Sequence, residues 1–115
     1  MKALVFKVGQ KPKLEDIKNE LDVLKEIVGG WIECVGIDDG VVLICNEEGK
    51  LLDLEPNREL IINEQIVDIV CGNFIICGTD GEEFDDLSDE MIKKWKFIYK
   101  RLEAYNKYKD ITIED

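Results

Sequence analysis

Histidine is absent from this chain of 115 residues, serine occurs only at position 88, and proline occurs twice. The missing histidine removes the commonest general base and the commonest metal ligand. A cysteine or serine nucleophile then lacks its usual partner, which stands against acyl- or group-transfer chemistry of that type. No apolar run approaches the ~18 residues of a membrane helix, so no span is expected. The opening M-K-A-L-V-F-K-V-G breaks at Lys7 and does not read as a secretory signal.

Metal and cofactor motifs are lacking as well. Cys34, Cys45, Cys71 and Cys77 form no C-x-x-C pair, and no histidine completes a mixed zinc set. All four lie inside apolar runs, as small buried thiols do in a reducing cytoplasm, and the expected location is cytoplasmic. The acidic stretch D-G-E-E-F-D-D-L-S-D-E, residues 80–90, lacks the order of a calcium loop. Neither a cofactor nor a metal is expected.

What is present suffices for one folded domain. Apolar residues make up 45% of the chain and charged residues 36%, with a net charge of -11. The negative excess is concentrated: residues 29–92 hold two cations against 17 anions, while residues 93–115 hold seven cations against four anions. Such a body repels a phosphate backbone, so direct nucleic-acid binding is not expected. It can instead imitate nucleic acid toward a basic partner, or simply keep the protein soluble.

Hydrophobic periodicity organises the chain. Residues 2–8 alternate around Leu4, Phe6 and Val8 as a first strand. After Pro12, the spacing of Leu14, Ile17, Leu21, Leu24 and Val28 predicts an amphipathic helix ended by Gly29-Gly30. Asp39-Gly40 between two β-rich runs predicts a tight hairpin. In a two-residue loop register, Asp38 faces Val41 and Cys34 faces Cys45, a pairing within reach of a disulfide. One face then carries Trp31, Glu33, Val35, Ile37, Val42, Ile44 and Asn46. A short strand at residues 50–54, a helical turn over 58–62, and a strand pair at 66–70 and 74–77 follow. Ser88 caps a last helix whose stripe is Met91, Trp95, Ile98, Leu102 and Tyr105, broadened by Ile92 and Tyr99. The order predicts an α+β fold: a mainly antiparallel sheet of about five to six strands, with an N-terminal helix and a long C-terminal helix packed on one side. Residues 1–90 form the sheet domain, and residues 91–115 supply its C-terminal helix and tail.

The stretch from Asn46 to Glu59 holds Lys50 and Arg58, the two cations of the acidic middle. With Asn46 and Asn57 nearby, and Trp31 and Glu33 at the open end of the hairpin, they suggest a pocket for a planar anionic molecule. The aromatic would stack and the cations would meet phosphate or carboxylate. The competing reading is that both cations neutralise neighbouring acids while the asparagines shape turns. The last helix offers Trp95, Ile98, Tyr99, Leu102 and Tyr105 as an interface for a homodimer, or for its own sheet.

G-G-W-I-E (29–33), N-E-E-G-K (46–50), P-N-R-E (56–59) and I-V-D-I-V-C-G-N-F (66–74) resemble a family of short phage and bacterial proteins known only as a domain of unknown function. The resemblance covers roughly residues 1–90. It implies a phage, plasmid or other mobile-element setting, in which some members accompany acidic antirestriction proteins that mimic DNA. It implies no activity and no catalytic residue.

Three functions, all non-enzymatic, are therefore expected. The first is a phage or mobile-element accessory protein that binds a small anionic ligand through Trp31, Glu33, Asn46, Lys50, Asn57 and Arg58, sequestering a nucleotide in counter-defence. The second is an acidic mimic of nucleic acid that inhibits a basic host protein. The third is an oligomeric adaptor that uses its C-terminal helix.

Overall fold

The computed structural model describes residues 1–100, and it is an α+β domain. Its central strands explain the architecture. In β1 (Lys2–Phe6), Leu4 and Phe6 point to one side of the sheet, Ala3 and Val5 to the other, and all four are buried. A strand apolar on both faces needs cover on both, and the chain supplies it. β2 (Lys13–Asp16), β1, β7 (Phe74–Thr79), β4 (Val41–Asn46) and β3 (Ile32–Asp38) lie in that order, all antiparallel, and the two-residue β8 (Phe84–Asp85) adds to β7. Helix α1 (Leu21–Val28) covers one face with Leu24 and Val28. Helix α2 (Asp89–Ile98) covers the other with Ile92 and Trp95. A separate ribbon of β5 (Pro56–Ile62) and β6 (Gln65–Cys71) shares that second face with α2.

The two helices thus lie on opposite faces rather than on one side. Further local expectations are corrected. Residues 13–16 form an edge strand, because backbone pairing with β1 outweighs the helical spacing of Leu14 and Ile17; the helix starts only after Glu20. The Asp39-Gly40 hairpin does pair Asp38 with Val41, but Ile37 is an extra residue in a β-bulge. Beyond the bulge the register moves by one: Cys34 faces Ile44, Glu33 faces Cys45, and Cys34 and Cys45 point to opposite sides. All four cysteines are free thiols. Residues 50–53 form turns, not a strand, and residues 58–62 continue a strand that Pro56 opens, where no ladder donor is needed. β6 pairs with β5, leaving β7 to join the main sheet.

Ser88 caps α2 as expected, its hydroxyl accepting from the Met91 N–H at 3.3 Å. Among the described residues, no helix is long and apolar enough to cross a membrane.

Candidate functional site

The ribbon does not lie flush on the main sheet. At the end where β4 runs into the 46–54 turns, the two layers diverge and leave a cleft of about 390 Å³. Glu33, Val35, Leu43 and Cys45 line it from β3 and β4, and Leu60, Asp68, Ile69, Val70 and Cys71 from the ribbon. Residues 46–51 close one side. The bulge at Ile37 matters here, because its register turns Glu33 and Val35 toward the ribbon-facing side with Leu43 and Cys45.

Three of the six residues singled out in the sequence meet at this cleft: Glu33, Asn46 and Lys50. Asn46 is chiefly a brace. Its Nδ2 donates to the Val28 carbonyl at 3.2 Å, holding the end of α1, and its Oδ1 accepts from the Glu48 N–H at 2.8 Å. Lys50 Nζ is paired with Asp68, whose Oδ1 also accepts from the Ile69 N–H at 2.8 Å. Lys50 first, then that N–H, hold the Asp68 carboxyl below its ordinary range, and Asp68 in turn raises Lys50. The pair is about half exposed and contributes roughly 0–1 kcal/mol to stability.

Trp31, Asn57 and Arg58 lie elsewhere. Trp31 is 61% exposed, with Lys25 Nζ 3.6 Å over its ring. Asn57 is buried: its Nδ2 donates to the carbonyls of Phe6 and Gly72, both at 2.9 Å. Arg58 is 2% exposed, and its guanidinium donates to the carbonyls of Tyr99, Asn57 and Gln10 and to Asn57 Oδ1. The two cations that sequence spacing placed in one pocket thus have separate duties. Arg58 is an internal clamp, and Lys50 is engaged by an acid.

The charge of the cleft is consequently reversed from the expected sign. Glu33, Glu47, Glu48 and Asp68 line it against the single cation Lys50. Asp68 is the cleft residue that the first candidate set omitted; its signal was a lone acid inside I-V-D-I-V. The thiols there are poor nucleophiles. Burial, and then the nearby acids, push Cys45 up to about 11, and burial raises Cys71. Among the described residues no group of acids and cysteines is arranged to hold a metal ion.

The stripe on α2 packs inward. Trp95 and Tyr99 are buried in the core beneath the sheet, Ile98 is half-buried, and Leu102 and Tyr105 lie outside the described residues. The own-sheet alternative therefore accounts for Trp95 and Tyr99, which have no surface left for a second copy.

No curated protein and no solved structure matches this chain. A family model does match, over residues 1–100, a span that takes in α2 as well as the sheet: the chain belongs to the family described as a domain of unknown function, DUF3846.

Proposed function

We propose that this is a non-enzymatic binding protein that engages a basic protein surface, with the cleft between sheet and ribbon receiving a lysine or arginine side chain. The carrying observation is the lining itself: four acidic residues and one cation border the cleft, and Asp68 already holds that cation. A guest ammonium or guanidinium gains charge-assisted hydrogen bonds there, whereas a phosphate meets repulsion. The rim suits a macromolecule, since Leu51, Leu52, Ile66 and Val67 are exposed apolar residues on the turn and strand that Lys50–Asp68 ties together. The absence of histidine and the raised thiols support a non-enzymatic role. The mobile-element setting implied by the resemblance makes a host defence protein a fitting target.

The nucleotide-sequestering reading loses its basis at this cleft, because Arg58 is internal and Lys50 is paired. Mimicry of nucleic acid keeps one supporting observation. The Thr79 N–H donates to the Gly40 carbonyl at 3.0 Å, which sets the Asp38-Asp39 turn beside the acidic 80–86 loop. That gathers a second acidic patch at the opposite end of β4.

Titrating a short arginine- and lysine-containing peptide into labelled protein tests the proposal. Amide signals of Glu33, Asp68 and Ile69 should move, and binding should weaken as salt rises past ~0.15 M. The double variant E33Q/D68N should bind at least roughly ten-fold more weakly. Equal affinity in that variant, or shifts confined to residues 80–86, would overturn the cleft and favour the mimic.

A further inference from the structure

β3 is the last strand of its sheet, and among the described residues no strand pairs with its outer edge. The Glu47 N–H donates to the Trp31 carbonyl at 2.8 Å, which fixes the phase of the β3–β4 ladder. Antiparallel pairs alternate between bonded and non-bonded, so Trp31, Glu33 and Val35 direct their backbone groups inward to β4. Those of Ile32, Cys34 and Gly36 point outward. Glu33, Cys34 and Gly36 are exposed along this edge. The bulge at Ile37 ends the regular stretch.

Natural sheets guard such edges with charge. At the far side of the sheet β2 does so, with Lys13, Glu15 and Asp16 among its four residues. Ile32–Gly36 carries Glu33 alone. Gly36 has no internal explanation: its φ is not positive, and a Cβ there would meet nothing within 4 Å. A strand glycine that neither conformation nor packing requires is one mark of a site where another backbone comes close.

Glu33 and Val35 also line the acidic cleft, so side chains facing them from an added strand lie at its mouth. On the outer edge Glu33 falls in a non-bonded pair, where facing side chains come closest. A second copy of this chain, with net charge -11, would bring acid against acid. We infer that the edge Ile32–Gly36 takes an extended basic peptide segment as an additional antiparallel strand. The segment lays an arginine or lysine beside Glu33 and an apolar residue beside Val35. Main-chain bonds supply affinity and alternate side chains supply selectivity. This rests on the function proposed for the cleft and states how the basic partner presents its side chain.

The probe is the peptide acetyl-Lys-Thr-Val-Thr-Arg-Thr-Lys-amide, whose central threonine faces Cys34 when its arginine faces Glu33. N-methylation of that central residue removes the donor to the Cys34 carbonyl. The same methyl on the arginine nitrogen lies on the outer side of the added strand. The parent and arginine-methylated peptides should protect the Cys34 and Gly36 amides from hydrogen exchange. The centrally methylated peptide should bind roughly ten-fold more weakly. Equal binding of the two methylated peptides, with Glu33 and Asp68 signals still moving, would overturn strand addition and leave the cleft proposal standing. No movement of those signals with any peptide would remove both. Cys34 and Gly36 amides already protected in the peptide-free protein, or a dimer in sedimentation, would also overturn strand addition, since the edge would then be taken.

Discussion

Arg58 Nε donates to the Tyr99 carbonyl at 3.0 Å, joining the ribbon to the C-terminal end of α2. Tyr99 is the C-cap, so the bond places a cation where the helix leaves unpaired carbonyls and partial negative charge. The same guanidinium reaches Gln10 at 2.8 Å and Asn57 Oδ1 at 2.8 Å, while Asn57 holds Phe6 in β1 and Gly72 before β7. These two buried side chains together tie the ribbon, the sheet, the first loop and the last helix.

Removing Arg58 should be severe. R58A leaves several buried carbonyls unpaired, at ~1–3 kcal/mol each, so a total loss of about 3–5 kcal/mol is expected. R58K keeps the charge but not the planar fork, and should recover less than half of that loss. Urea unfolding with an unchanged slope and a lowered midpoint checks this. A midpoint within error of the parent protein would show that the clamp is idle.

Deleting α2 should unfold the whole domain rather than release a folded sheet. Trp95 and Tyr99 pack against Phe6 and Phe74 beneath the sheet, with the Phe6 and Tyr99 ring centroids 5.5 Å apart and edge-to-face. Each such side chain contributes roughly 1.5–3 kcal/mol by burial, and a domain holds only about 5–15 kcal/mol in total. A chain ending at Ser88 should show disordered circular dichroism and collapsed amide dispersion. A cooperatively folded remnant would instead make the helix an appendage, free to serve as an adaptor.

These features explain which parts of the molecule could be read from the sequence. Alternation in Leu4–Phe6, the Asp39-Gly40 turn and the Ser88 cap are local signals, and each appears in the fold as expected. The bulge at Ile37 was not legible, because a one-residue register shift depends on which neighbour strand the sheet selects. Arg58 misled for a related reason. A lone cation in an acidic segment looks like a ligand-binding group, and nothing local tells that carbonyls from residues 10 and 99 will converge on it. Glu33 and Lys50 were found by spacing, but the sign of their cleft emerged only when β6 brought Asp68 across.

Thiol reactivity should follow the same layering. Cys34 is the exposed cysteine, whereas burial pushes Cys45 up to about 11 and Cys77 to about 12. At pH 8, iodoacetamide should modify Cys34 first, although burial and Glu33 raise its thiol and slow it relative to a free cysteine. Cys77 should react only after denaturant is added. Equal labelling of all four sites in the native protein, read by peptide mass mapping, would contradict the buried placement.

Acid should weaken the tie that Asp38 and Lys94 make between β3 and α2. The Asp38 carboxyl is held low in the folded protein, chiefly by Lys94, so its stabilising contribution is fully present above the unfolded value of ~3.9. It is lost as pH falls below that value and through the depressed folded one. Because Lys94 is half exposed, the contribution is about 1 kcal/mol or less. D38N should therefore be less stable than the parent at pH 6, and the gap should be smaller at pH 3, below the unfolded value of ~3.9. Urea midpoints measured by Trp fluorescence at the two pH values give the comparison, with W31F isolating Trp95. A gap that stays constant with pH would mean that the Asp38 charge, and its partnership with Lys94, adds nothing to the folded state.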